Sequence, residues 1–566
     1  TWGATPFRVG LWVGARVTPN KTDDAGEWLK QLRKAGRRGF VRAAGSPHQL
    51  TACPWCGETL EAGADIVVDP IRRRTRVSCG NLYCDFNNLT VPEGIPVVLV
   101  DEEIYRLLPS LVIATVDKFA QLPWRGETQA LFGRVEQRCE RHGYVTEDTR
   151  ANDWELSSAS ARHPAKGGLP SARIVGVSRI RPPDLIIQDE LHLISGPLGS
   201  LAGLYETAVD RLATWELPGG RRVRPKVVAS TATVRRAQQQ IGALFDRRTE
   251  VFPPPGLDIG DNFFSRQRPV DPAEAGHRPG RRYVGVCAHG VRNKSVLIRV
   301  YVAVLGAAQT LHDRYGRNPV TDPYMTLVGY FNSLRDLGAM RRMVEDDVST
   351  RLSRAESRGF SRRWDPVVKE LTSRLSSSDI PAVLDHLEQA FTDDREERGR
   401  RPIDILLATN MIAVGVDVSR LGVMVVSNQP KSTAEYIQAT SRVGRAAPGL
   451  VFTVYNWARP RDLSHYETFE HFHATVYRQV EALSVTPFAD RAVDRGLTGV
   501  LVSLIRNLEP TYNGNLRAGR FDRAGELADH VVRFLKRRAR EVTADNRVGV
   551  EVERHLDARL DQWHRE

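Results

Sequence analysis

Gln438-Ala-Thr-Ser-Arg-Val-Gly-Arg445 sets two arginines three residues apart, a spacing that on one helical turn lets both guanidinia project to the same side. Such a pair suits a shared anion, and a nucleotide γ-phosphate is the obvious candidate. Asp184-Leu-Ile-Ile-Gln-Asp-Glu-Leu-His192 is an apolar strand that delivers two acids and then a histidine. Cys53-Pro-Trp-Cys56 and Cys79-Gly-Asn-Leu-Tyr-Cys84 offer four thiolates in two pairs, the supply that a tetrahedral zinc needs. Cys139-Glu-Arg-His142 also has ligand spacing, but two ligands without partners do not make a site.

These residues need elements to hold them. Ile405–Ala408 and Val423–Ser427 are apolar runs of strand length, each followed by a polar loop, and a helix-like segment then ends on the two arginines. That is the layout of a parallel α/β sheet carrying its working residues at the carboxyl ends of strands. Residues 281–288 and 324–332 read as further strands of this half, and 297–311 as its first helix. An earlier half offers strand-like residues 7–14, 98–101, 111–119, 184–188 and 226–230. Residues 66–68 and 74–78 are strand-like between the cysteine pairs. The stretch 251–256, rich in proline, is a stiff connection. The charged stretches 345–374 and 393–401 read as exposed helix and loop. Beyond Tyr455 the chain turns helical, and the histidines of 465–477 read as surface or packing.

The expected domains follow. Residues 1–50 belong to a first parallel-sheet domain, 51–95 to a zinc-binding insertion, and 96–235 to the rest of the first domain with an insertion at about 125–179. Residues 236–280 form a linker, 281–457 a second parallel-sheet domain, and 458–566 a helical C-terminal extension. A chain of 566 residues with 41% hydrophobic content supports several cores. Its net charge of +12 fits a polyanionic partner held through its phosphates. Six cysteines, four of them in one cluster, favour metal in a reducing cytoplasm over disulfides. No N-terminal charged-then-apolar signal is present, and no apolar run approaches the ~20 residues of a membrane span.

The segment Ala408–Asp417 resembles motif V of superfamily 2 helicases, and Gln438–Arg445 their motif VI. Asp189-Glu190-Leu-His192 is similar to the DE-x-H form of motif II, Ser230-Thr231-Ala232-Thr233 to motif III, and Leu111–Phe119 to motif Ib/Ic. The resemblance implies an ATP-dependent enzyme with two RecA-like domains, an α/β fold carrying a zinc-ribbon-like insertion. It implies catalytic roles for Asp189, Glu190, His192, Arg442 and Arg445, and nucleotide contacts from Gly415, Asp417 and Gln438. It further implies nucleic-acid contacts from Thr115, Lys118 and Thr409, and coupling between the two sites through Ser230, Thr231, Ala232 and Thr233. ATP, Mg2+ and Zn2+ are the implied cofactors, the zinc on Cys53, Cys56, Cys79 and Cys84. A G-x-x-x-x-G-K-[ST] phosphate loop is missing from these residues and is expected upstream, which would make the first domain incomplete here. The order of cysteine pairs, DE-x-H box, proline-rich connection and motif VI continuing into Asn456–Tyr466 resembles the DrmA family, helicase-like subunits of DISARM phage-defence systems. That likeness implies DNA as ligand and a DrmB-like partner protein. A repair or processing helicase of the same superfamily, and an idle nucleic-acid clamp, remain open at this point.

Overall fold

In the computed structural model the described residues are all but 1–6, 36–44, 152–161, 232–236, 255–256, 258–262, 265, 267–279, 317, 376–378, 393–399, 414–416 and 482–483. The chain divides into two units, one of Thr1–Thr231, Arg236–Thr249 and Leu483–Glu566, the other of Ala232–Arg235 and Glu250–Ala482.

The second unit is built on a six-stranded parallel sheet. From one edge to the other its strands are Arg281–Cys287, Gly449–Tyr455, Val423–Ser427, Leu327–Phe331, Ile405–Ala408 and Val368–Leu371. Successive side chains of a strand point to opposite faces, and here both faces are apolar. Leu327, Ile405, Leu407, Val423 and Val425 pack on one side against Val296, Leu297, Tyr301, Leu305, Leu337 and Met340. Val328, Leu406, Ala408, Met424 and Val426 pack on the other against Tyr436, Ala439, Val443 and Phe472. Continuous apolar runs are what a sheet covered on both sides requires. Gly329 permits close approach on the first side, since a Cβ there would lie 1.9 Å from the Tyr301 hydroxyl. Helix Asn293–Tyr315 is long and apolar enough to cross a membrane, unlike the expectation from apolar run length. Its Val296, Leu297, Tyr301 and Leu305 instead cover this sheet.

A further sequence expectation for this unit fails. The charged stretch 345–374 is not merely exposed: Val348 and Leu352 are buried, and Val368–Leu371 is the edge strand. Arg363 in the same stretch is buried and donates from Nε to Asp404 Oδ1 at 2.7 Å and from Nη2 to Met325 O at 2.6 Å. Apolar residues spaced four apart line the covered side of a turn whose other side carries the charge. Of the stretch 393–401, residues 393–399 lie outside the described residues.

The first unit holds several smaller sheets. Val9–Trp12 pairs in parallel with Val97–Val98 on one side and Leu111–Ala114 on the other. Leu185–Gln188 and Lys226–Ala229 form a separate parallel pair. The antiparallel hairpin Ile66–Asp69 and Arg74–Val77 stands between the two cysteine pairs. An antiparallel sheet of four short strands runs in the order Gly143–Val145, Gln137–Cys139, Ala172–Gly176, Arg162–His163.

The residues after 483 are not a separate extension, and 237–249 is not linker. Helix Ala237–Phe245 belongs to the first unit. Helices Thr498–Leu508, Glu526–Thr543 and Asn546–Arg565 form one core with Gly196–Leu212, in which Leu204, Ala208, Val209 and Leu212 meet Val500, Leu501, Leu504, Leu535 and Leu556. Polar side chains fix the register. Asn507 donates to Leu122 O at 3.2 Å, and Arg506 donates to Pro123 O at 3.0 Å. Helix Pro460–Glu467 and the residues up to Ala482 stay with the second unit. There His465 and His473 sit in aromatic packing, His473 beside Phe469 and Tyr436.

Candidate functional site

In the first unit, the parallel pairing of Leu185–Gln188 with Lys226–Ala229 sets Gln188 opposite Ala229. The next residue of each strand, Asp189 and Ser230, therefore meet side by side. Ser230 Oγ donates a short hydrogen bond to Asp189 Oδ1, which also accepts from the Glu190 amide at 2.9 Å. The backbone closes the same junction, with Ser230 N donating to Gln188 O at 2.9 Å and Leu191 N to Ser230 O at 3.0 Å. Glu190 takes a left-handed backbone with φ of 50°, a conformation uncommon outside glycine and most often kept where the surroundings impose it. Its Oε2 lies 3.3 Å from His192 Nδ1, and Thr231 Oγ1 lies 3.4 Å from the same nitrogen. The two acids, the histidine, Ser230 and Thr231 thus form one hydrogen-bonded group, with Asp189 exposed and His192 buried. An exposed carboxylate at a strand's carboxyl end suits Mg2+ held through water. Ala232 and Thr233 lie outside the described residues.

In the second unit, helix Thr433–Thr440 begins at Ser432, whose hydroxyl accepts from the Glu435 amide, and it ends before the two arginines. This corrects the expectation that Arg442 and Arg445 share a helical turn. They stand on the turn that follows, and Gly444 within it has φ of 75° and donates to Leu421 O at 2.8 Å. A Cβ on Gly444 would lie 2.7 Å from the Gly449 Cα, so only glycine fits there. Arg281, which the sequence did not single out, donates to Val443 O at 2.7 Å and Ser441 O at 3.1 Å and so holds this turn. Arg445 pairs with Asp417, another of the expected nucleotide contacts. Gln438 is buried on the helix, and Gly415 lies outside the described residues.

Of the three residues expected to meet nucleic acid, Thr115 is exposed at the end of its strand. Lys118 is not available: it is 1% exposed, and its Nζ donates to Asp101 at 2.5 Å. Thr409 is likewise buried at the end of Ile405–Ala408. A lysine side chain reaches inward when a buried acid awaits it, and the strand-then-loop pattern carries no sign of that acid.

The four cysteines converge, with the sulfurs all within 4.8 Å of one another. Cys53 Sγ lies 3.8 Å from Cys84 Sγ, and Cys56 Sγ 3.5 Å from Cys79 Sγ. Tetrahedral zinc with bonds of about 2.3 Å sets its sulfurs about 3.8 Å apart, so the group fits that ion. The Phe86 amide donates to Cys84 Sγ at 3.4 Å. Cys56 is exposed, and a backbone hydrogen bond at Glu58 leads the effects that lower its thiol to about 7. Burial pushes Cys79 up to about 12.

Residues 360–447, from before the edge strand Val368–Leu371 through the Arg445 turn, match the family model "Helicase conserved C-terminal domain". Over 579 aligned residues the chain is 42% identical to the DISARM protein DrmA of Bacillus paralicheniformis. That alignment takes in 99% of this chain and 48% of the relative, so the chain spans about half the length of the protein it matches. Among solved structures, the DUF1998 helicase MrfA bound to DNA is 16% identical with a TM-score of 0.41, over 71% of this chain and 42% of that one. The Mycobacterium smegmatis helicase Lhr bound to ssDNA and AMP-PNP is 12% identical with a TM-score of 0.39, over 90% of this chain and 48% of that one.

Proposed function

This chain is a homologue of DrmA along 99% of its length, and from that premise we propose that it works within an ATP-dependent DNA translocase or helicase subunit of a DISARM-like anti-phage system. One observation carries the reading: the in-register strand pair joins Asp189 to Ser230 by a direct hydrogen bond, while Glu190 and Thr231 both meet His192 Nδ1. When nucleotide binds, Mg2+ neutralises phosphate charge, and Asp189 is the residue to hold it through water. Glu190, steered by His192, orients the attacking water and accepts its proton. Ser230 senses the state of Asp189 through their shared hydrogen bond, so a shift at the acids passes to the segment after Lys226–Ala229. Arg442 and Arg445 supply positive charge to the phosphoryl group as it transfers.

DNA is the proposed ligand, with Thr115 among its contacts, and the net charge of +12 supports a phosphate-rich partner. Zn2+ on Cys53, Cys56, Cys79 and Cys84 folds the small module around the Ile66–Val77 hairpin. A DrmB-like protein is the proposed partner, and the cytoplasm, where thiols stay reduced, is the proposed setting. The test is DNA-stimulated ATP hydrolysis by the full-length protein. We expect Glu190→Gln to abolish turnover while nucleotide binding persists, and undiminished turnover by that variant would refute the assignment.

A further inference from the structure

Outside the sites described above, Cys139, His142 and His163 form a second convergence. Cys139 ends the strand Gln137–Cys139, His142 lies in the tight turn back to Gly143–Val145, and His163 stands on Arg162–His163 at the far side of the four-stranded sheet. The pairing of Cys139 with Ile174 and of His163 with Ala172 carries the sequence-distant histidine to the cysteine. Cys139 Sγ is 3.6 Å from His142 Nδ1 and 3.3 Å from His163 Nδ1, and all three ligand atoms lie within 4.8 Å of one another. Each of the three residues is 1% exposed or less.

We propose that Cys139, His142 and His163 bind a second transition-metal ion, of the Zn2+ class, that ties this four-stranded sheet to the cysteine module. A tetrahedral ion with Zn–S of about 2.3 Å and Zn–N of about 2.0 Å sets sulfur and nitrogen about 3.5 Å apart, which brackets both contacts. The tautomer of His142 is set from outside the group. Its Nε2 meets the Ile71 carbonyl at 2.9 Å, and because a carbonyl only accepts, that nitrogen bears the proton. Nδ1 of the neutral ring is then a bare lone pair aimed at the sulfur, as in the carbonyl-backed histidine ligands of metal sites. The Arg141 amide donates to Cys139 Sγ at 3.4 Å, the same residue-plus-two contact that Phe86 makes to Cys84. Both turns are thus shaped to stabilise a thiolate. Ile71 lies in the turn of the Ile66–Val77 hairpin, so the ion's ligand set reaches from the four-stranded sheet to the cysteine module. Full burial of all three ligands suits an ion that holds structure, its fourth tetrahedral position filled by a ligand beyond these three.

The experiment is elemental analysis of freshly purified full-length protein, with cobalt substitution in parallel. Two equivalents of zinc are expected in the wild type and one in His163→Gln or Cys139→Ser. His163→Cys, which retains a ligand atom, keeps two. After cobalt substitution, Cys139→Ser loses one component of the sulfur-to-metal charge-transfer band while the component of the four-cysteine site remains. A single equivalent in the wild type overturns the site. So does a folded His163→Gln protein with undiminished metal, or a folded His163→Cys protein that carries no more than His163→Gln.

Discussion

Ile405, Leu406, Leu407 and Ala408, in the second unit, are each 0% exposed, whereas Leu185, Ile187 and Val228 on equally apolar strands of the first unit are 50%, 62% and 45% exposed. Both sheets are parallel, and parallel strands occur with both faces covered. The second unit supplies its own cover from helices on either side. The first unit buries its apolar residues chiefly elsewhere, in the helical core of Gly196–Leu212 with the C-terminal helices. What the two sheets teach is that a strand's apolar run reports the cover it was selected for, while the cover itself must be found in space. In the first unit the strands leading to Asp189 and Ser230 leave Leu185, Ile187 and Val228 exposed within this chain.

The two units also carry contrasting ion pairs, and breaking each should have a different consequence. Arg445 pairs with Asp417, whose side chain is largely exposed, on a turn at the surface of the second unit. Such a pair is worth about 0–1 kcal/mol to stability. Arg445→Ala in the full-length protein should therefore leave the melting temperature within about a degree or two. DNA-stimulated turnover should fall on the order of a thousandfold if this arginine meets the transferring phosphoryl group. Lysine at the position should not rescue, because it lacks the planar fork. Single-turnover hydrolysis and thermal melting on one preparation decide the matter, and a destabilised but fully active Arg445→Ala protein would assign the residue to structure alone.

Lys118 is the opposite case, since both it and Asp101 are buried in the first unit. Removing one partner of a buried pair strands the other charge, at a cost of about 3–5 kcal/mol. We expect Lys118→Met to fall near the lower end, because burial already pushes Asp101 up to about 6 and a proton can replace the lysine. Stability of the first unit should drop while DNA affinity per folded molecule is unchanged. A loss of DNA affinity without a loss of stability would restore Lys118 to the nucleic-acid surface.

Paired truncations sharpen the contrast between the sheets. Leu407→Ala should cost about 2–3 kcal/mol, since it removes a fully buried side chain and leaves a cavity. Ile187→Ala in the 1–566 chain should cost less than about 0.5 kcal/mol, as surface changes do. Denaturant unfolding of both variants gives the comparison, and equal costs would mean that the strand leading to Asp189 is covered after all.

How far the sequence alone reached follows the same division. The second unit's strands Leu327–Phe331, Ile405–Ala408 and Val423–Ser427 were readable because each is an apolar run, and a run needs no knowledge of its neighbours, whereas Lys369 and Glu370 hid the edge strand Val368–Leu371. The end of the helix before Arg442 was readable in principle from Gly444, the residue type that helices use to stop. Distance hid the rest. Nothing near Lys118 in sequence marks Asp101 as its partner, and nothing in the composition of residues 483–566 marks them as the other half of a core begun near Gly196. His163 stands 24 residues from Cys139, so only strand pairing discloses it. The acids Asp189 and Glu190 with Ser230 and Thr231 were readable as separate motifs, but their joining depends on the register of two strands.

The last expected effect concerns the core that the sequence hid. Glu206 lies on helix Gly196–Leu212 and is 3% exposed. Burial first, and then Asp210 one turn further on, push its carboxyl up to about 7, against the opposing pull of Arg538 and Arg247. In the unfolded chain a glutamate titrates near its ordinary value, about 4.3. Folding therefore takes up a proton between those two values. The contribution of this group favours the folded state in full below about pH 4.3 and is lost as pH rises through about 7. Glutamine has the same shape and cannot ionise, so Glu206→Gln should remove that part of the pH slope. Below about pH 4 wild type and variant should melt together, while at pH 8 the variant should melt several degrees higher. Comparing the two proteins cancels the other acids that burial also shifts in this unit, Glu103 and Glu127 among them. If Glu206→Gln is destabilised at pH 8, then the charged carboxylate is a needed partner for Arg538 and Arg247, and the helical core of the first unit is held by its charges as well as by Leu204, Leu504 and Leu535.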